Sequence, residues 1–284
     1  MIRARKGHGT GNDFVVISPG ARDLTAAEVA VICDRHFGIG ADGLIRIVAT
    51  ADADESFVRA QSTVAEWFMD YRNADGSVAE MCGNGVRVFV HALLAEGLVQ
   101  PGSFAVATRG GVRGVTVSAP GADVSVAMGT GVPGLPSSIV TAQGVEFPAA
   151  GMYFPNPHAV VFVDDLDQAG DLLRTPTWSP AERYPDGVNV EFVQRVGPEH
   201  LRMRIHERGV GETLSCGTGI CAAVAVARDL QQGAASTWQV DIPGGTVWVD
   251  VDADGETTLR GPARLVAELQ IDETWLAGAS GTGA

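Results

Sequence analysis

Two cysteines carry the chemistry that this sequence advertises. Cys82 stands in MCGNG (residues 81–85) and Cys216 in SCGTG (residues 215–219), 134 residues apart. Each precedes a small Gly-flanked turn and then an apolar run with helical spacing, VRVFVHALLAEG in one case and ICAAVAVARDLQQG in the other. A cysteine at a helix start lies in the positive end of the helix dipole, which favours the thiolate. The free N–H groups beside it form a seat for a carboxylate. Two such starts facing each other would hold a carboxylic acid with one sulfur on either side. A thiolate and a thiol opposed across an sp3 carbon can invert it, one removing a proton and the other delivering one. The carbon acid is weak, so charge developing on its carboxylate needs fixed donors, which the helix starts supply. One sulfur must be ionised while the other is protonated, so the two titrate as a coupled pair.

The elements that position these cysteines are themselves duplicated. At the same offset of 134, Gly110 and Gly111 match Gly244 and Gly245, Phe104 falls on Trp238, Val117 on Val251 and Gly121 on Gly255. GNDFVVI (residues 11–17) has a looser echo in PNPHAVV (residues 155–161). A unit used twice, and too long for a solenoid repeat, implies two similar domains. Each unit reads as a helix start with a cysteine, a buried helix and a hairpin.

Composition narrows the class. The 284 residues suffice for two cores, and 45% apolar with 19% charged residues describes a globular chain. The 36 glycines, well above the usual share, point to many turns and short strands. A net charge of −14 argues against nucleic acid or an anionic membrane as partner. The only lysine, Lys6, is near the start, so a pyridoxal Schiff base has almost no candidate and no cofactor is expected. The opening MIRARK has no apolar segment behind it, and no window suits a membrane span. Cytoplasm is the expected compartment, where four cysteines would be reduced.

In chain order, IRAR and DFVVIS read as strands around a Gly-rich turn, and TAAEVAVICDRHF as a helix with Thr25 at its N-cap. GLIRIV and WFMDYR give two more strands around a polar stretch at 49–55, and three alternating runs follow the first cysteine helix. GTGVPGLPSS (residues 129–138) reads as a Gly/Pro/Ser connection next to the domain crossover. The second half repeats the plan, and the tail after Trp275 reads as disordered. The expected fold is α/β (α+β), with two pseudo-symmetric domains, each a mainly antiparallel, barrel-like sheet around a central apolar helix. The expected domains are residues 1–121 with a C-terminal return over 264–284, and residues 122–263.

Other motifs carry less. GIGADG (residues 38–43) matches a dinucleotide fingerprint, but helix precedes it and strand follows, the reverse of what such a site needs. Cys33 with His36, or Cys216 with Cys221, lacks a second pair at zinc spacing, so no metal is expected. Cys33 and Cys221 read as small buried apolar residues.

The chain resembles the diaminopimelate epimerase family over nearly its whole length. HGTGNDFVV, DRHFGIGADG, YRNADGSVAEMCGNGVRVF, NPHAV, GVNVEFV and ERGVGETLSCGTG stand in family order. The resemblance implies two barrels, each around a helix, an active site between them, no cofactor, and interconversion of LL- and meso-diaminopimelate in lysine and peptidoglycan-precursor synthesis. It implies Cys82 and Cys216 as the acid–base pair, with His158 and Glu207 tuning the thiols. Substrate contacts would come from Asn12, Asn73, Gly83, Asn84, Asn156, Asn189, Glu207, Arg208, Gly217 and Thr218. A substrate with two ammonium and two carboxylate groups does call for amides, a carboxylate and an Arg fork. Taken alone, each Asn also fits ordinary turn chemistry, and Glu207–Arg208 a solvated strand end. Two departures stand out: Gly43 replaces a glutamine that some members use near substrate, and Pro155 precedes Asn156 where glycine is common.

The alternatives are a proline or hydroxyproline epimerase with paired cysteines, a non-catalytic binding protein on this fold, and a redox protein using a Cys82–Cys216 disulfide. Asn84 and the Glu207–Arg208 pair favour diaminopimelate. The expected partner is this small molecule, with homodimerisation left open.

Overall fold

The computed structural model describes residues 1–231, 233 and 236–280. They fall into two compact units, Met1–Val126 with the described residues from Pro262 onward, and Ala127–Gly261.

In the first unit, β1 (Ile2–Gly9) and β2 (Asn12–Ile17) form a hairpin in which Gly9 lies opposite Asn12. Thr25 then caps α1 (Ala26–Cys33) with a complete capping box, its side chain accepting from Glu28 N–H while the Glu28 carboxylate accepts from Thr25 N–H. This crossover lets β3 (Gly43–Ala49) run parallel to β2. The polar stretch that follows is not a plain loop. It forms short helical turns at 50–52 and 60–63 around α2 (Ser56–Arg59), which close a small cluster over Phe68. β4 (Trp67–Asn73) pairs antiparallel with β3 and leads to α3 (Gly83–Ala95). β5 (Gly102–Ala107) is parallel to β4, and β6 (Arg113–Val117) and β7 (Val124–Thr130) extend the sheet antiparallel. Every residue of α3 from Gly83 to Leu93 is buried. A helix apolar on nearly all faces must be enclosed, and each of its large apolar side chains stabilises the unit by about 1.5–3 kcal/mol.

The second unit repeats the pairing plan. β8 (Val132–Ala142) and β9 (Val145–Tyr153) form a hairpin, and β10 (Pro157–Phe162) adds to β9 antiparallel. A short β11 (Thr177–Ser179) pairs with β8. β12 (Asn189–Gly197) is parallel to β10, as β3 is to β2. β13 (His200–Glu207) and β14 (Gly211–Thr213) follow antiparallel, and then comes α4 (Gly217–Leu230). β15 (Ser236–Ile242) is parallel to β13, as β5 is to β4, and β16 (Gly245–Val251) and β17 (Glu256–Gly261) close the series. The offset read from the sequence therefore holds in the elements: α3 begins at Gly83 and α4 at Gly217, β5 at Gly102 and β15 at Ser236.

Two expectations are corrected. The Gly/Pro/Ser segment at 129–138 is largely strand, not an open connection, because β8 runs through it. Pairing with β9 slips near Pro133 and again before Ser138, and such irregularities are where a strand tolerates proline. The tail after Trp275 is not disordered over its described part. β18 (Arg264–Ile271) pairs with β1, and α5 (Glu273–Ser280) follows, with Leu276 fully buried against Ile32, Ile271 and the outer face of the first sheet. The segment 281–284 lies outside the described residues. No helix among the described residues is long and apolar enough to cross a membrane.

Replacing Leu276 by Ala is expected to cost roughly 2–5 kcal/mol of the first unit's stability; denaturant unfolding checks this, and a loss under about 0.5 kcal/mol would mean that α5 does not dock. The Glu28 carboxyl is pulled from 4.5 down to about 2, chiefly by Arg22 and further by Thr25, against the upward push of burial. A lowered carboxyl contributes stability that is complete above pH 4.5 and is lost as the pH falls toward 2. Melting temperature against pH should accordingly fall more steeply over that window in the parent protein than in Glu28→Gln; parallel curves contradict the pairing.

Candidate active site

α3 starts at a cysteine that caps its first turn. Cys82 is the N-cap, with extended backbone (φ −139°, ψ 119°), and its Sγ accepts from Gly85 N–H at 3.4 Å. The same sulfur lies 3.4 Å from Asn12 Oδ1, which also accepts from Asn84 Nδ2 at 3.3 Å. Asn12 is turned that way because its Nδ2 donates to Asp42 Oδ2 at 2.8 Å. Asp42 is held by Arg35, and Arg35 and Lys6 both pair with Asp13. Burial would push the Asp13 carboxyl up, but Arg35 and Lys6 reverse this and bring it to about 2. The sole lysine is thus occupied in an ion pair. Behind the first turn, fully buried Arg87 donates to Thr10 Oγ1 and Asn84 Oδ1, both at 3.0 Å. The guanidinium behind this first turn and the helix dipole both favour negative charge at it.

Asn73 is held by its own turn, where Nδ2 donates to Ser77 Oγ at 3.0 Å, and it does not join the hydrogen bonds around Cys82. Gly43 opens β3 directly after the α1 segment, so GIGADG runs from helix to strand. A Cβ there would stand 2.7 Å from Arg72 O and from the Tyr71 ring, which leaves no room for a side chain.

In the second unit Cys216 is the N-cap of α4, with similar backbone (φ −129°, ψ 111°), but its surroundings are acidic. Sγ lies 3.4 Å from Thr218 Oγ1, and the thiol donates to Glu207, which also accepts from Thr213 Oγ1. Burial pushes the Cys216 thiol well above its ordinary range, and the charge of Glu207 adds to this. Thr218 and Gly219 N–H pull the other way without restoring it. Burial likewise raises the Glu207 carboxyl. Burial and the neighbouring carboxylate therefore both favour the protonated form of Cys216.

The neighbouring strand ends bring the remaining candidates of this unit together. β10 and β12 pair with His158 opposite Asn189. His158 Nε2 meets Asn156 Oδ1 at 2.9 Å, and Asn189 Oδ1 accepts from Arg208 N–H at 2.9 Å. Arg208 Nη1 donates to Asp186 O at 3.1 Å. Pro155 leaves the turn closed, with Phe154 N–H donating to Asn156 O at 2.8 Å.

Two residues at these sites escaped the sequence reading. Asp42 sets Asn12, and Glu191, fully buried, meets His158 Nδ1 at 2.6 Å. The signal for Glu191 was a charged residue two positions after Asn189, hence on the same strand face, within an apolar run. A Cβ on Gly219 would meet Glu191 Oε1 at 2.6 Å and Ile205 Cδ1 at 2.7 Å, so α4 approaches this carboxylate closely enough to require glycine. Cys33 and Cys221 are buried away from this chemistry, and burial lifts the Cys33 thiol to about 12. All four cysteines are free thiols. No group of three or more His, Cys, Asp or Glu among the described residues is arranged to hold a metal ion.

Solved structures share this fold. A hydroxyproline epimerase from Agrobacterium vitis superposes with a TM-score of 0.70 at 16% identity, covering 96% of this chain and 94% of its own. A PhzF-family phenazine biosynthesis protein from Bacillus anthracis gives 0.70 at 16% identity, over 95% of this chain and 99% of its own. The family itself comes from sequence. The diaminopimelate epimerase model matches residues 4–133 and 152–266. Diaminopimelate epimerases from Streptomyces coelicolor and Rhodococcus jostii are 52% and 46% identical, over 96% and 95% of this chain and 96% and 97% of theirs. The chain belongs to the diaminopimelate epimerase family.

The two helix starts should react differently. At pH 7 iodoacetamide is expected to label half-buried Cys82 well before Cys216, with Cys33 and Cys221 spared and Cys216 labelling growing as the pH is raised. Peptide mapping reads this, and equal labelling of Cys82 and Cys216 at pH 7 contradicts the asymmetry.

Proposed function

We propose that this protein is a cofactor-independent isomerase that interconverts LL-2,6-diaminopimelate and meso-diaminopimelate, with Cys82 and Cys216 as its acid–base pair. The observation that carries the reading is that each unit sets a free cysteine at the first turn of its buried helix. The chemistry is a proton exchange. The thiolate takes the α-hydrogen as a proton, the electron pair left on carbon spreads into the carboxylate, and the thiol delivers its own proton to the opposite face. The first sulfur ends as thiol and the second as thiolate, so the reverse reaction runs with the roles exchanged. In this reading Cys216 is the acid of the pair, since burial and Glu207 favour its protonated form.

The charge that develops on the α-carboxylate is met by the N–H groups of Gly83 and Asn84 at one helix start and of Gly217 and Thr218 at the other. Asn12, Asn73, Asn156, Asn189 and Arg208 bind the polar groups of the substrate, and His158 and Glu207 set the protonation of the site. Lysine and peptidoglycan-precursor synthesis is the setting this activity implies. A cytoplasmic location accords with four free thiols.

Incubation in deuterated water tests the substrate. LL-diaminopimelate should take up deuterium at one α-carbon while L-proline stays unlabelled; label in proline alone would replace this reading with a proline-type epimerase. Cys82→Ala and Cys216→Ala should each lower exchange by at least about 100-fold, the scale of a single acid–base group, whereas near-normal exchange in both variants would remove the mechanism.

A further inference from the structure

Glu191 is a carboxylate with no exposure, and the two-cysteine chemistry gives it no task. An isolated buried carboxylate costs several kcal/mol, so such groups are found paired. Its Oε1 lies 2.6 Å from Nδ1 of His158, a ring that is also fully buried. Its Oε2 has no hydrogen-bond partner among the described residues. On the far side of the ring, His158 Nε2 lies 2.9 Å from Asn156 Oδ1. The three groups form a line from the interior to an asparagine that the proposed function places on the substrate.

Hydrogen counting restricts this line. In this orientation of the Asn156 amide Oδ1 only accepts, so Nε2 carries hydrogen. With Nε2–H fixed, two arrangements remain: an imidazolium facing a carboxylate, or a neutral ring accepting from a carboxylic acid. A neutral ring with its hydrogen on Nδ1 would set a bare Nε2 against Oδ1, two lone pairs at 2.9 Å. Both allowed arrangements leave the Glu191–His158 pair neutral as a unit, which suits its burial. Both also commit the Asn156 carbonyl to the ring and leave its Nδ2 hydrogens for another acceptor. Burial pushes the Glu191 carboxyl up and His158 pulls it down, consistent with a proton shared between them.

We propose that Glu191 is a positioning residue: acting through His158, it fixes the Asn156 amide so that N–H groups, not a carbonyl, face a carboxylate of the bound substrate. The substrate part of this statement rests on the function proposed above, and the ring geometry does not. The carboxylate is locked in place by its neighbours. Glu191 lies on β12 beside β10, and Gly219 in the first turn of α4 comes within contact of it. Among the described residues, Glu207 on β13, Cys216 at the start of α4 and Tyr184 also feel the charge of Glu191.

Glu191→Gln keeps the shape but presents either an oxygen or an NH2 group to Nδ1. The ring then takes either neutral tautomer, and whenever Nδ1 carries the hydrogen, Asn156 must turn over and offer its carbonyl outward. The expected kinetic result is a KM for LL-diaminopimelate raised about tenfold, with kcat within about threefold, because a carboxylate contact made equally in ground and transition states is lost. A role confined to the fold would instead lower the amount of active protein and leave KM alone. Nitrogen-15 spectra of the histidine rings, with His158 assigned by its loss in His158→Gln, provide a reading that needs no substrate. Protonated Nε2 in the parent and a mixed or Nδ1-protonated ring in Glu191→Gln support the proposal. A bare Nε2 in the parent overturns it even should the variant not fold, as does a variant with unchanged ring signals and unchanged KM. If the parent protein shows no exchange into diaminopimelate, the functional reading fails, and the ring state alone decides the positioning role.

Discussion

A helix that is buried along its length brings its unpaired first-turn N–H groups into the interior, where something must meet them. In both units the residue standing there is a cysteine. α3 uses the sulfur itself as cap through Gly85, and α4 places Cys216 in the same backbone conformation. The sheets enclose these helices so that their first turns are fixed, and the strand ends beside each start carry the amides and charges that condition the sulfur. The chemistry thus depends on an ordinary requirement of helix termination, answered by an unusual residue.

The duplication gives equal backbones but not equal surroundings. Cys82 stands near a buried guanidinium, that of Arg87, which braces Asn84, and its other neighbour Asn12 is fixed by Asp42. Cys216 donates to the Glu207 carboxylate and feels the charge of Glu191 as well. The same helix start is therefore placed in two different settings.

Much of this was legible because it is local or repeated. The cysteine turns, the offset of 134 and the Thr25–Glu28 cap are short patterns whose physics needs no tertiary contact. Family motifs carried the Asn and Arg candidates, which residue type alone would have left as turns. What the chain did not disclose depends on partners distant in sequence. Glu191 becomes meaningful only when β12 lies beside β10 and His158 is opposite Asn189. The small and glycine-rich tail looked unable to fold, but Leu276 joins the core cluster that holds α1, and α5 forms there. β8 looked like a linker since its prolines and glycines outvote its few apolar residues, and its pairing with β9 overrides that bias.

The first unit is discontinuous, and this bears on how the chain is made. Ile2 pairs with Ile271, so β1 waits for a strand that is synthesised much later. While the ribosome is still extending the chain, the second unit has all its strands available and the first has an open edge at β1. Contacts of such separation are slow to form, and an uncovered edge invites pairing with another chain. Truncation near the C-terminus would thus cost the N-terminal unit its closure, although the cysteine turn it carries lies far away in sequence.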